Sequence, residues 1–237
     1  MNNVLYFVML ICGVTAEFPT AEERKEIVEL HAQLRESVDP PARKMMFMNY
    51  SIELEKLAHD WAANCSFAEL SVYSLPNDIF ATVDSFEEKP TFEEFLKGIV
   101  SQKELYNYEQ NYCRGYCYDY KVMVLEAANA VGCARRKCFI KSSPTHFTNL
   151  VLCLYKPAHK PGGLPYESGE SCSDCPTGFQ CYRKQCLKTL TQMKTSNKKQ
   201  ALQQARTAFE VSDIPTSFSS SISSFGILLI QTLLFFV

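Results

Sequence analysis

Four of the eleven cysteines crowd into one stretch, CRGYCYDYKVMVLEAANAVGCARRKC, at positions 113, 117, 133 and 138. Four more follow at 172, 175, 181 and 186, and Cys65 and Cys153 stand alone. Clustered thiolates can hold zinc, exchange electrons as Cys-x-x-Cys pairs, or close disulfides. The first cluster contains no histidine, and the CSDC of 172–175 has no βαβ surroundings, so disulfides fit both better than zinc or redox chemistry. Other reactive side chains are scattered. His31 and His59 lie in helical stretches beside Leu34 and Trp61, which suits packing or surface roles, and His146 and His159 stand isolated in loops. No reactive cysteine or serine elbow offers a nucleophile, and no closely held carboxylate pair offers acid–base catalysis. N-Y-S at Asn49 and N-C-S at Asn64 are glycosylation acceptors if exposed, with Asn49 the better placed because Asn64 adjoins Cys65.

The two ends bear on which cysteine chemistry applies. MNNVLYFVMLICGVTA is uncharged and apolar and closes on a small-x-small pattern, so residues 1–16 are expected to be a signal peptide. Cleavage after Ala16 starts the mature chain at Glu17, discards Cys12 and leaves an even cysteine set in an oxidising compartment. At the other end, FGILLIQTLLFFV (225–237) follows the small, polar run PTSFSSSISS. As a helix this tail reaches only roughly 20 Å against a hydrocarbon core of roughly 30 Å, and no Lys or Arg follows it. It fits a glycosylphosphatidylinositol (GPI) signal or a short membrane anchor, and the protein is expected to be extracellular, secreted or anchored to the outer cell surface. A net charge of -2 gives no electrostatic basis for binding nucleic acid.

Hydrophobic spacing then supplies the elements. TAEERKEIVELHAQLRESV has Thr20 and Glu23 in capping-box register and apolar residues at helical spacing, and Pro40 and Pro41 end it. SIELEKLAHDWAANC puts Leu54, Leu57, Ala58, Trp61 and Cys65 on one face. Residues 66–90 show no clear period and read as a long irregular loop. Thr91 and Glu94 start a third helix, and DYKVMVLEAANA reads as a fourth. AVGCARRKCFI and FTNLVLCLY read as two strands separated by KSSPTH. Helices first and strands late give an α+β class. The chain divides into a main domain at 17–160, a Cys-rich module at 161–187, a polar stalk at 188–224 and the apolar tail at 225–237. The module is too small and too rich in Pro, Gly and Cys to hold together without disulfides.

Three stretches in this order resemble the CAP (SCP/TAPS) superfamily of cysteine-rich secretory and venom-allergen-like proteins. They are HAQLRESVDPPARKM with WAANC, then AVGCARRKC with LVLCLYKP, and finally KPGGLPYESGESCSDCP. The resemblance runs from about Glu22 to Cys186 and implies a three-layer α-β-α sandwich with an open groove, followed by a disulfide-rich hinge. It also implies pairs Cys133–Cys153, Cys65–Cys138, Cys172–Cys181 and Cys175–Cys186, leaving Cys113 and Cys117 for a local one.

Many members of that superfamily carry two His and two Glu in the groove, able to hold a divalent cation. This sequence departs from the pattern at all four places. Glu69 stands where a His follows the WAANC cysteine, Asn77 where a Glu is expected, Gln102 in place of the helix Glu, and Asp119 in place of the last His. The exchange removes the imidazoles that transition metals prefer. Glu69, Asp119 and the amide oxygens still offer donors to a hard ion, but paired acids on a groove rim are more often just solvated, so neither a metal nor a cofactor is expected. Apolar ligands are the other possibility, since relatives bind sterols or fatty acids and the loop holds Tyr73, Phe80 and Phe86, although such aromatics often only pack a loop onto its core. The expected function is a non-enzymatic binding protein for an extracellular protein partner, or alternatively a sterol or fatty-acid carrier.

Overall fold

The computed structural model describes residues 17–63, 65, 75–140, 143–157 and 163–189. Four helices and eight strands lie within these. Helix α1 (Ala21–Glu36) starts at Thr20, whose hydroxyl accepts from Glu23 N while the Glu23 carboxylate accepts from Thr20 N. Strand β1 (Asn49–Tyr50) leads into α2 (Ile52–Ala62), capped by Ser51. Then come β2 (Phe80–Phe86), α3 (Phe92–Ser101) with the same Thr–Glu capping box, and a 3-10 turn over Gln102–Leu105. The short pair β3 (Tyr106–Asn107) and β4 (Tyr112–Cys113) precedes α4 (Tyr118–Met123). Strands β5 (Ala130–Ile140) and β6 (Ser143–Lys156) follow, and the hairpin β7 (Phe179–Tyr182) and β8 (Gln185–Lys188) ends the described chain.

The main sheet has the order β1-β5-β6-β2, with β1 parallel to β5 and the other neighbours antiparallel. Because strand side chains alternate, the two faces separate cleanly. Val131, Cys133, Val151, Cys153 and Tyr155 join Ile27, Leu34, Phe92, Phe95, Tyr120 and Met123 in one core with α1, α3 and α4. Ala134, Cys138, Leu150, Leu152 and Leu154 form a second core with Leu54, Ala58 and Ala62 of α2. The result is a three-layer α+β sandwich. Gly132 lets the layers meet, since a Cβ there would collide with backbone atoms of Ser51, Leu54 and Glu55. Five disulfides fasten the described residues: Cys65–Cys138, Cys113–Cys117, Cys133–Cys153, Cys172–Cys181 and Cys175–Cys186.

The elements differ from the sequence reading in three places. The stretch 66–90 is not wholly irregular, because FATVDSF forms β2 and pairs along β6. Its alternation is hidden because polar Thr82 is buried while Asp84, on the same face, is exposed, and residues 66–74 lie outside the described residues. The helix read over DYKVMVLEAANA stops at Met123. The buried Arg35 guanidinium takes the carbonyls of Met123, Leu125, Glu126 and Ala128, so these accept from a side chain rather than from a helical N–H. Finally, KSSPTH is not a loop throughout, for β6 begins at Ser143.

Candidate functional site

The 3-10 turn after α3 and the first turn of α4 bring two of the four groove positions together. Gln102 Oε1 accepts from Tyr120 N at 3.2 Å, which sets the amide against the start of α4. Asp119 lies beside it and is only 7% exposed. Its Oδ1 accepts from the Tyr116 hydroxyl at 3.2 Å. Burial pushes the Asp119 carboxyl up to about 6, the Tyr116 and Gln102 side chains oppose that rise, and the charge of Asp84 on β2 adds to it. Tyr116 itself is 64% exposed, so the carboxyl sits under an aromatic lip that solvent reaches. The Cys113–Cys117 disulfide closes the segment that carries this lip, and Cys117 is the residue before α4.

The other two positions are not joined to this pair. Asn77 is exposed in the turn where Ile79 N donates to Pro76 O at 2.9 Å, and no contact links it to Asp119. Glu69 lies outside the described residues. Among the described residues no group of three His, Cys, Asp or Glu is arranged to hold a metal ion. Asp84 and Tyr116 complete the surroundings of Asp119 and were not singled out in the sequence. Tyr116 could have been found as the residue three before Asp119, whereas Asp84 comes close only through the strand that the loop reading concealed.

Beneath the groove runs a buried polar line. His31 Nδ1 donates to Ile27 O at 2.6 Å, since that carbonyl can only accept. Nε2 is therefore the acceptor and takes the Tyr155 hydroxyl at 3.2 Å. Burial pulls His31 down to about 4, so the ring is neutral at physiological pH. Burial also raises the Tyr155 phenol, with the Thr82 hydroxyl and the Asp119 charge near enough to act on it. Arg35 lies one helical turn beyond His31, fully buried, donating to five backbone carbonyls, those of Met46 (2.8 Å), Met123, Leu125, Glu126 and Ala128. His59 is a surface group stacked on Phe18 with ring centres 4.3 Å apart. His146 has no described side chain, and His159 lies outside the described residues.

The candidate aromatic ligands mostly face inward. Phe80 packs edge-on against Tyr118 and Phe86 against Phe95, both as flanks of the main core, and Tyr73 lies outside the described residues. Asn49 is exposed, with its amide donating to the carbonyls of Phe47 (3.1 Å) and Asn129 (3.2 Å), and Asn64 lies outside the described residues. The Cys-rich segment is tied back to the sandwich. Cys186 N donates to Met45 O at 2.7 Å, and Arg183 grips Glu36 (2.6 Å) and Glu29 (2.8 Å) on α1.

A family model for the cysteine-rich secretory protein family (CAP) matches residues 28–155. The chain belongs to that family. Among curated proteins it is 26% identical to mouse glioma pathogenesis-related protein 1 over 69% of this chain, and 30% identical to human peptidase inhibitor 16 over 70%. The matches span 64% and 36% of those relatives' lengths, less than two thirds of either. In structure, the CAP domain resembles hookworm platelet inhibitor (TM-score 0.56, 23% identity, covering 73% of this chain and 93% of that one). It also resembles venom allergen-like protein 4 of Schistosoma mansoni (TM-score 0.51, 21% identity, covering 63% and 97%). At these identities the likeness is one of fold. Family membership and five disulfides fit an extracellular protein.

Proposed function

We propose that this CAP protein is a non-enzymatic extracellular binding protein that engages a partner protein through the groove around Asp119. The supporting observation is the pairing of Asp119 with Gln102 and Tyr116 where a metal-binding pattern stands in many relatives. A carboxyl raised by burial under an exposed tyrosine, with an amide alongside, is a set of hydrogen-bonding groups suited to recognition. It offers no nucleophile, and no second carboxyl is held against Asp119 by a contact as general acid–base catalysis requires. In this reading residues 1–16 are removed as a signal peptide, residues 17–160 and 161–187 act as binding domain and hinge, and the stalk and tail serve as a GPI signal or membrane anchor. The sterol or fatty-acid reading is the weaker of the two, because Phe80 and Phe86 are used in packing.

A photo-crosslinker placed at Tyr116 tests the proposal on purified protein presented to candidate cell surfaces. Protein adducts that are competed by unlabelled protein and lost in Asp119→Lys support it. Lipid co-purifying in stoichiometric amount, seen by mass spectrometry, would favour the carrier reading. Substrate turnover abolished by Asp119→Asn would replace both with an enzyme.

A further inference from the structure

We propose that the open end of β5 is a second docking site, one that receives an extended acidic segment of another protein by strand addition beside Arg136 and Lys137. A cleft of about 390 Å³ opens there, lined by Lys89, Arg135, Arg136 and Lys137 together with Glu17, Glu87 and Glu88, so that cations outnumber acids by one.

The chain itself shows how the cleft takes an extended acidic residue. Glu17 bridges antiparallel to Arg135, its N–H donating to Arg135 O at 2.7 Å and its carbonyl accepting from Arg135 N at 3.2 Å. The Glu17 carboxylate is held by Lys89 at 2.6 Å and Arg135 at 3.1 Å, which keeps it ionised below the usual carboxylate range. Arg135 also meets Glu23 and lies over the Phe92 ring, so its charge is used up.

The next two residues of β5 repeat the chemistry without the acid. Backbone groups alternate along a strand, so Arg136 points its own toward β6 and Lys137 points its N–H and C=O outward, as Arg135 does. Among the described residues neither Arg136 nor Lys137 meets a carboxylate. Among the described residues the buried Arg136 Nε has no hydrogen-bond partner, and the Lys137 ammonium rests 3.5 Å from the centre of the Phe147 ring. An edge lysine by itself only discourages pairing with other chains. An unpartnered guanidinium nitrogen beside a cleft goes further, because it leaves a charged donor out of water with nothing to accept from it. An antiparallel strand continuing the Glu17 line passes Arg136 and Lys137, and carboxylates on it would complete both. Exposed Phe139 and Phe147 offer it apolar contact on the Lys137 face, while Arg136 lies on the opposite face.

The inference rests on a mature chain that begins at Glu17, because anything retained ahead of Glu17 in the same register would fill this edge. It is tested with the chain from Glu17 to Val237, disulfides formed, and a fluorescent peptide carrying adjacent Glu-Glu pairs spaced by Thr, which presents one carboxylate to each face of the strand. Fluorescence anisotropy should show saturable binding, weakened at least tenfold by Arg136→Glu with Lys137→Glu. The same loss is expected when alternate peptide nitrogens are methylated, or when four Gly-Ser residues precede Glu17. Circular dichroism of each variant checks that the sandwich is intact, and both substitutions lie where side chains reach solvent. No binding, binding indifferent to N-methylation, or a heparin fragment bound at this site in place of the peptide overturns the proposal. Mass spectrometry of the secreted protein reports separately whether the natural chain begins at Glu17, and Asp119→Lys should leave peptide binding unchanged.

Discussion

Arg35 and Asp119 are both ionisable side chains taken out of water, and the difference between their surroundings separates scaffold from site. Arg35 reaches five carbonyls with its guanidinium and touches no carboxylate. Its charge is spent on folding the 123–128 segment and the Met46 region around α1. Asp119 has only the Tyr116 hydroxyl on one oxygen and a neighbouring amide to support its charge, and burial, helped by the like charge of Asp84, raises its carboxyl against them. A buried charge with its bonds complete fixes structure. One left partly satisfied at a solvent-facing lip retains capacity for a ligand.

The largest expected effect comes from Arg35→Leu, which leaves those carbonyls buried without donors. It should cost roughly 3 to 5 kcal/mol in denaturant unfolding. A loss below 1 kcal/mol would mean that the backbone finds other donors and that Arg35 is no scaffold. Next is the Cys113→Ser, Cys117→Ser pair, which removes a disulfide closing only a short loop and should cost about 2 kcal/mol. Because that loop carries the lip, an Asp119 carboxyl titrating nearer 4 should accompany the loss, read by carbon-13 NMR.

Asp119→Asn should act in the opposite direction and by less. The folded-state value of about 6 lies above the unfolded carboxyl, so ionisation costs stability as pH rises from about 4 to about 6, and all of that cost is present at pH 7.5. The substitution should therefore stabilise by about 1 kcal/mol at pH 7.5, allowing for partial exposure, and change nothing at pH 3.5. His31 has the other sign. Its folded value of about 4 lies below the unfolded one, so stability is lost as pH falls from about 6.5 to about 4. The two slopes oppose each other over nearly the same window, and Asp119→Asn should make the acid limb of the stability curve steeper. Smallest of all, Tyr116→Phe should move the Asp119 titration further upward while leaving the unfolding midpoint at pH 4 unchanged, since it removes only a bond to the charged form.

Helix starts were legible because caps are local. Thr20, Ser51 and Thr91 make the bonds that their spacing to Glu23, Leu54 and Glu94 indicates. Strands β5 and β6 were legible as strands because short apolar runs rich in Val, Cys and Leu flank turn residues there, while the division of their faces between two cores was not. Strand β2 was not, because its buried face carries polar Thr82 beside Tyr155 and then gives way to exposed Asp84. The early end of α4 was not, because the residue that ends it sits 88 positions earlier, at Arg35. At the groove, the sequence could place Gln102 and Asp119 only by family pattern. Their contact depends on where a 3-10 turn meets a helix.

By itself the sequence determined the class of the fold, the helical faces that build its layers, and a cysteine set suited to disulfides. Those follow from residue types and short-range spacing. Only the tertiary structure decided that Arg35 is spent on backbone carbonyls, that Asp119 holds a raised carboxyl under Tyr116, and that Arg136 and Lys137 lack the acid that Arg135 receives from Glu17. Each of these depends on groups far apart in the chain, whose charge and hydration are set by what the fold places within a few ångströms.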